Sequence, residues 1–199
     1  MTKRENEEAH VVHEEAIPEG LHFLVALLNT RYGRQKRLHD AWPDRAAMER
    51  WLREQGLITA EVVVAEGEYR RAIDLREALR QYLRRSRHDA TTSAEALETI
   101  NHIARHTLLK VQFTRPTQAR LVPESGGVDG VLARALGDVY TAMWTGQWAR
   151  LKVCQNDACG KAFYDGSRNH AGVWCSTRTC GNRMHARTYR QQKKRNGSA

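Results

Sequence analysis

Cys154-Gln155-Asn156-Asp157-Ala158-Cys159 and Cys175-Ser176-Thr177-Arg178-Thr179-Cys180 contain all four cysteines of the 199-residue chain, in the pattern CxxxxC-x15-CxxxxC. Four thiolates complete the tetrahedral shell of a Zn²⁺ ion. Two paired knuckles about fifteen residues apart are a layout of structural zinc modules, with the within-pair gap here at the wide edge of the usual range. Two rivals remain open. A disulfide framework with three connectivities suits a secreted chain. Four unrelated buried thiols are the other, although chance would scatter them along the chain. The opening residues Met1-Thr2-Lys3-Arg4-Glu5-Asn6-Glu7-Glu8 carry no apolar signal-peptide core, and no apolar run approaches the ~18 residues of a membrane helix. A cytoplasmic chain with no membrane partner is therefore expected. Its expected cofactor is one structural Zn²⁺ held by Cys154, Cys159, Cys175 and Cys180. Metal loss on thiol oxidation is a variant of the same site.

Charge follows the cysteines. From Arg150 onward, 11 Lys or Arg stand against Asp157 and Asp165, which leaves +9, the net charge of the whole protein. Residues 1–149 hold 21 basic and 21 acidic residues and are neutral. Such asymmetry points to a polyanion-binding end carried on a neutral domain. A tetrathiolate zinc site is locally −2, so the C-terminal module keeps a strongly basic field with metal bound. Beyond Cys180, Arg183, Arg187, Arg190 and Lys194 recur at i, i+4, i+7 and i+11. That spacing aligns them on one face of a terminal helix, where a cationic stripe can follow a phosphate backbone. Tyr164, Trp174 and Tyr189 are too few to form an evident stacking platform, so duplex DNA is favoured over single strands or RNA.

With 41% hydrophobic and 28% charged residues, 4 Pro and 14 Gly, the remainder reads as an ordinary globular chain. Residues 1–18 are polar, end at Pro18 and are expected to be a flexible tail. Residues 21–30 are apolar on nearly all sides, predicting a short buried helix. Asp44 is a plausible N-cap for a helix through Met48, Trp51 and Leu52 that stops at Gly56. Residues 66–87 place Tyr69, Ala72, Ile73, Leu75, Leu79, Tyr82 and Leu83 near helical spacing. Arg76, Arg80, Arg84 and Arg87 follow the same spacing and are expected to form a solvated or interface face, except that Arg76 alone is a candidate for anchoring an anionic ligand or pairing with a buried carboxylate. Thr92 or Ser93 is expected to cap a helix through Leu97, Ile100 and Ile103. Residues 109–113 and 119–123 read as a two-stranded ribbon. Residues 128–144 read as a helix with Val131, Leu132, Ala135, Leu136, Val139, Tyr140 and Met143 inward. The fold class expected is mainly α with a small β-ribbon: a helical domain over residues 19–149 and a four-cysteine zinc module with a basic helix over residues 150–199. No flexible linker precedes Cys154, so the module is expected to be held against the helical body.

The run Cys154, Cys159, Phe163, Asp165, Ser167-Arg168, Trp174-Cys175 and Cys180-Gly181-Asn182-Arg183 resembles the CGNR zinc-finger family. Leu28-Asn29-Thr30 and Leu75-Arg76-Glu77-Ala78-Leu79-Arg80 are similar to the early Asn-Thr motif and the central helix of the helical domain called ABATE. The resemblance spans about residues 20–190, with Ala26 standing where an acidic residue is expected. It implies a stress-induced bacterial transcription regulator whose finger binds double-stranded DNA and whose helical domain senses a signal. Candidate DNA contacts are Arg168, Arg178, Asn182, Arg183, Arg187, Arg190, Lys193 and Lys194. Candidate contacts to an unknown small-molecule ligand are Asn29, Thr30 and Arg76. A homodimer stays open.

Catalysis is not expected. Four cysteines close the metal's coordination shell, whereas a zinc hydrolase or deaminase keeps a position for water. His13-Glu14-Glu15 fits HxE but no PCxxC follows, and no HExxH, GxSxG, P-loop or GxGxxG occurs. The alternative to a DNA-binding regulator is a ligand-binding or protein-interaction regulator whose zinc module is structural.

Overall fold

The computed structural model describes residues 17–34, 37–84 and 90–196. Residues 1–16 of the expected tail, His13-Glu14-Glu15 among them, and Arg87 lie outside the described residues. A single turn of 3-10 helix, Glu19–Leu21, leads into α1 (His22–Leu28), whose Leu24, Val25, Leu27 and Leu28 are buried. The apolar run thus forms a core helix on which the rest is assembled. An antiparallel hairpin follows, β1 (Arg31–Arg34) paired with β2 (Arg37–Asp40). No alternating apolar pattern announced it.

Helix α2 (Arg45–Glu54) starts where its cap dictates: the Asp44 carboxylate accepts the Ala47 N–H at 2.7 Å, satisfying one of the helix's orphan donors. Gly56, in the left-handed region at φ 65°, follows the helix end. Helix α3 (Glu66–Leu83) begins with the Glu68 carboxylate accepting the Ala65 N–H at 2.7 Å. Its buried stripe contains Ala72, Leu75, Leu79 and Leu83 but also Arg76 and Arg80. Arg76 is buried with carboxylate partners, as its second reading allowed, whereas Arg80 corrects the expectation of a solvated face, because its guanidinium finds carbonyl partners inside. Helix α4 (Ala90–Ala104) starts before Thr92 and Ser93, which lie within it instead of capping it.

The ribbon is present as β3 (Leu109–Arg115) antiparallel to β4 (Gln118–Pro123), with Val111 opposite Leu121. It leans on α5 (Gly127–Trp144) at Gly137, where a side chain's Cβ would already touch Leu109. Val128, Val131, Leu132, Ala135 and Val139 of α5 enter the core. Tyr140 and Met143 do not, being 58% and 43% exposed, because each follows by one position a residue of the buried stripe, Val139 and Ala142, and so falls off that face.

After a second 3-10 turn, β5 (Leu151–Val153) pairs antiparallel with β6 (Ala162–Tyr164), and α6 (Asn182–Asn196) closes the described chain. Leu151, Val153 and Ala162 belong to the same apolar cluster as Leu24, Leu75 and Leu132. Each fully buried aliphatic side chain in that cluster contributes roughly 1.5–3 kcal/mol. A separate small cluster gathers Cys154, Phe163 and Cys180 with Cys159, Trp174 and Cys175 packed against it. The fold is therefore mainly helical with small antiparallel strand pairs and a C-terminal four-cysteine centre. Among the described residues no helix is long and apolar enough to cross a membrane.

Candidate metal centre and its junction with the helical body

The two knuckles are shaped by their own backbone. In the first, the Asn156 carbonyl accepts the N–H groups of Cys159 (2.7 Å) and Gly160 (3.1 Å), and its side chain accepts the Ala158 N–H at 3.1 Å. Gly160 sits at φ 61°, a left-handed conformation that glycine adopts without strain. In the second knuckle, the Ser176 hydroxyl accepts the Thr179 N–H and its carbonyl accepts those of Cys180 and Gly181. The result is a wide turn over Thr177–Gly181, which accommodates the four residues between the paired cysteines. The Asn182 amide then donates to the Arg178 carbonyl at 3.1 Å, joining this turn to α6.

These turns bring all four sulfurs within 4.8 Å of one another. Cys159 to Cys175 is 3.6 Å and Cys175 to Cys180 is 3.7 Å. Tetrahedral Zn–S bonds of about 2.3 Å require S···S separations of about 3.8 Å, so the donor set fits Zn²⁺ in number, softness and spacing. The protons behave accordingly. S–H bonds from Cys159 and Cys175 pull the Cys154 thiol down, to about 2. Hydrogen bonding to Cys154 and then to Cys159, together with burial, pushes the Cys175 thiol up. Four sulfurs this close cannot all ionise without a cation, and Zn²⁺ supplies the charge that displaces the protons. The four cysteines hold one structural zinc ion.

Asp165 secures the loop between the knuckles. Buried to 4% exposure, it accepts from Lys152 Nζ (2.6 Å), the Ser167 hydroxyl (2.6 Å) and N–H (3.1 Å), and the Gly172 N–H (2.8 Å). Burial alone would raise its pKa. The hydrogen bonds outweigh that effect and hold the carboxyl well below the usual range. Lys152 also donates to the His170 and Gly172 carbonyls, so one ion pair pins both ends of the loop. Sequence reading named Asp165 without a role; its partner lies thirteen residues upstream, where no local pattern marks it.

Three further groups lock the centre to the body. The Asn29 amide donates to the Ala162 carbonyl at 2.9 Å and accepts the Ala162 N–H at 2.8 Å. Arg80 donates to the Leu28 carbonyl (2.6 Å) and to the Gly160 carbonyl (2.7 Å). The Gly33 N–H reaches the Cys159 carbonyl at 2.5 Å, and a Cβ at Gly33 would lie 2.1 Å from the Ala158 oxygen, so only glycine fits there.

The three sequence-derived ligand candidates are thus separated. Asn29 faces the zinc module. Thr30 and Arg76 do meet: Arg76 donates to the Thr30 hydroxyl (3.0 Å), to Asp40 (3.3 Å) and to Glu77 (3.0 Å), at 1% exposure and with its guanidinium 5.3 Å from the Trp42 ring centroid. The DNA candidates lie outside. Arg168, Arg178, Asn182, Arg183, Arg187, Arg190, Lys193 and Lys194 are all exposed.

Comparison with protein families agrees with this division. The family model described as "CGNR zinc finger" matches residues 150–193, and that of ABATE, described as "Putative stress-induced transcription regulator", matches residues 21–146. No curated protein matches the chain. With the larger match covering more than half of the sequence and the finger following in the expected order, the chain belongs to the ABATE family and carries a CGNR zinc finger at its C-terminal side.

Proposed function

We propose that the protein is a DNA-binding transcription regulator in which residues 150–199 engage duplex DNA through α6 and residues 19–149 form the body that receives a signal. The observation carrying this reading is α6 itself. Every residue from 185 to 194 is exposed, and the helix bears Arg183, Arg187, Arg190, Lys193 and Lys194 with no acidic residue. An isolated helix of this polarity gains little from packing, whereas a phosphate backbone would neutralise its charge and release counterions. The module docks on its own body through β5 and β6, while α6 stays exposed. Family membership supports the regulatory half of the reading.

Fluorescence anisotropy on duplexes from a random-sequence selection, at two salt concentrations, tests it. Replacing Arg183, Arg187, Arg190 and Lys194 together by Gln is expected to nearly abolish binding. The dependence of log affinity on log salt should flatten by about one for each phosphate that is no longer neutralised. Because these side chains are exposed, far-UV circular dichroism should not change. Unchanged affinity and slope in the variant would refute the assignment.

A further inference from the structure

A cavity of about 640 Å³ opens where the β1–β2 hairpin, α3 and the first zinc knuckle meet. Its walls carry Arg31 and Arg37 from the hairpin, Arg80 from α3, Arg84 at that helix's C-cap, and Asp157 and Cys159 from the knuckle. The volume lies within the ~300–1,000 Å³ range of small-molecule sites.

Charge in this cleft is unbalanced. Glu77 serves three guanidiniums at once, Arg76 at 3.0 Å, Arg31 at 3.3 Å and Arg80 at 3.8 Å. Asp40 is shared by Arg76 (3.3 Å) and Arg31 (3.7 Å). Neither Arg37 nor Arg84 has a carboxylate partner among the described residues, and the remaining acid, Asp157, is exposed. Four arginines thus line the cleft against two carboxylates, Glu77 and Asp157, and Glu77 is already shared. The zinc thiolates border the cleft through Cys159, but backbone N–H groups of Asn156, Cys175 and Lys161 already donate to Cys154 and Cys159. Arg80 bears the cost: burial lowers its proton affinity, Glu77 opposes that, and Arg84, Arg76 and Arg31 lower it further. A concave, polar site with two guanidiniums that lack a carboxylate among the described residues is suited to an oxyanion, because each guanidinium fork matches two oxygens of phosphate or carboxylate. One dianionic group would neutralise both.

We propose that this cleft binds a small phosphorylated molecule, with Arg37 and Arg84 contacting the phosphate. The proposal rests on the reading of the body as a signal receiver and gives that signal a chemical class. It also gives it a route. Arg80 ties α3 to the Gly160 carbonyl and Gly33 ties the hairpin to the Cys159 carbonyl, so an anion drawing α3 and the hairpin together acts directly on the knuckle. The proposal commits to a small molecule and not the DNA backbone, because a cavity of about 640 Å³ has the volume of a small-molecule site.

The test is isothermal titration of the zinc-loaded full chain with inorganic phosphate and with ribose 5-phosphate at constant ionic strength. Saturable one-to-one binding is expected, tighter for the sugar phosphate if the ligand extends beyond its phosphate. Arg37→Gln and Arg84→Gln should each weaken it about tenfold or more, the scale of one lost hydrogen bond to a charged group. Arg120→Gln, on the exposed ribbon, should leave it unchanged. No saturation by roughly 10 mM of either probe, or equal affinity in all three variants, overturns the proposal. So does an outcome in which the two cleft variants lose duplex DNA binding while the wild type ignores both probes, since the cleft would then be part of a DNA surface. Loss of DNA binding confined to the α6 variant tests the regulator reading separately, in buffer free of either probe.

Discussion

Asn29→Ala separates a latch from a ligand contact. Asn29 makes two hydrogen bonds to the backbone of Ala162, a residue 1% exposed within the shared core. Truncation leaves one N–H and one C=O of β6 without partners at the junction. Each unsatisfied buried group costs about 1–3 kcal/mol. Asn29 is only half-buried, so water recovers part of the loss, and a net destabilisation of about 2–4 kcal/mol follows. For a chain of this size, about 3 kcal/mol lowers Tm by roughly 6–12 °C. The assay is thermal and urea unfolding of the zinc-loaded protein, followed by far-UV circular dichroism and by tryptophan fluorescence. Both signals should shift together, because the latch joins the two clusters they report. Asn29→Asp retains the acceptor but sets a carboxylate against the Ala162 carbonyl, and is expected to be about as damaging. A change below about 0.5 kcal/mol, the scale of an ordinary surface substitution, would refute the latch.

Two further outcomes are expected. Metal analysis should find one zinc per chain; chelation should remove the ~10–16 kcal/mol typical of structural Zn²⁺ sites, change Trp174 fluorescence and lower the Tm of the helical body, whose core includes Val153 and Ala162, whereas zinc-free protein with four freely titratable thiols would contradict the site. Asp138→Asn should stabilise the protein at pH 7 by roughly 1–3 kcal/mol. Burial pushes the Asp138 carboxyl from 3.8 up to about 6, against the pull of Arg134. Between about pH 4 and 6 the native state therefore holds more protons than the unfolded chain, and stability falls as pH rises through that window. The variant's advantage should vanish near pH 4 by urea unfolding; a gain independent of pH would contradict the assignment.

Features written in local spacing were legible before any coordinates. The Cys154–Cys159 and Cys175–Cys180 pairs, the Asp44 cap and the alternation of residues 109–113 each depend on neighbours within a turn or a strand. The hairpin β1–β2 was not legible, because Arg31-Tyr32-Gly33-Arg34 and Arg37-Leu38-His39-Asp40 carry charge where a strand signal needs alternation. Its tie to the remainder is long-range, through Gly33 to the zinc knuckle and through Asp40 to Arg76. On α3 the burial of Arg80 was not legible for a different reason, while a carboxylate partner for Arg76 was among the readings. Charge suggested solvent, yet Arg76 falls between Ala72 and Leu79 on the apolar stripe, and Arg80 lies one position from Leu79. A charged residue inside such a stripe indicates a buried partner as readily as an exposed face, and here the partners are Thr30, Glu77 and the carbonyls of Leu28 and Gly160.

That placement bears on how a signal could reach DNA. A finger on a flexible tether would bind or release DNA independently of the body. Here Ala162 sits in the body's core while its neighbour Phe163 packs with Cys154 and Cys180 in the metal cluster. A single short strand therefore belongs to both clusters, and displacing β6 by an ångström would disturb packing on both sides at once, since close-packed interiors transmit strain. The arginine cleft lies against the same junction, with Cys159 on its wall and Gly160 held by Arg80. On the proposal made above, a ligand bound there would act on α6 from the first knuckle through the shared metal site to Cys180, two residues before that helix begins.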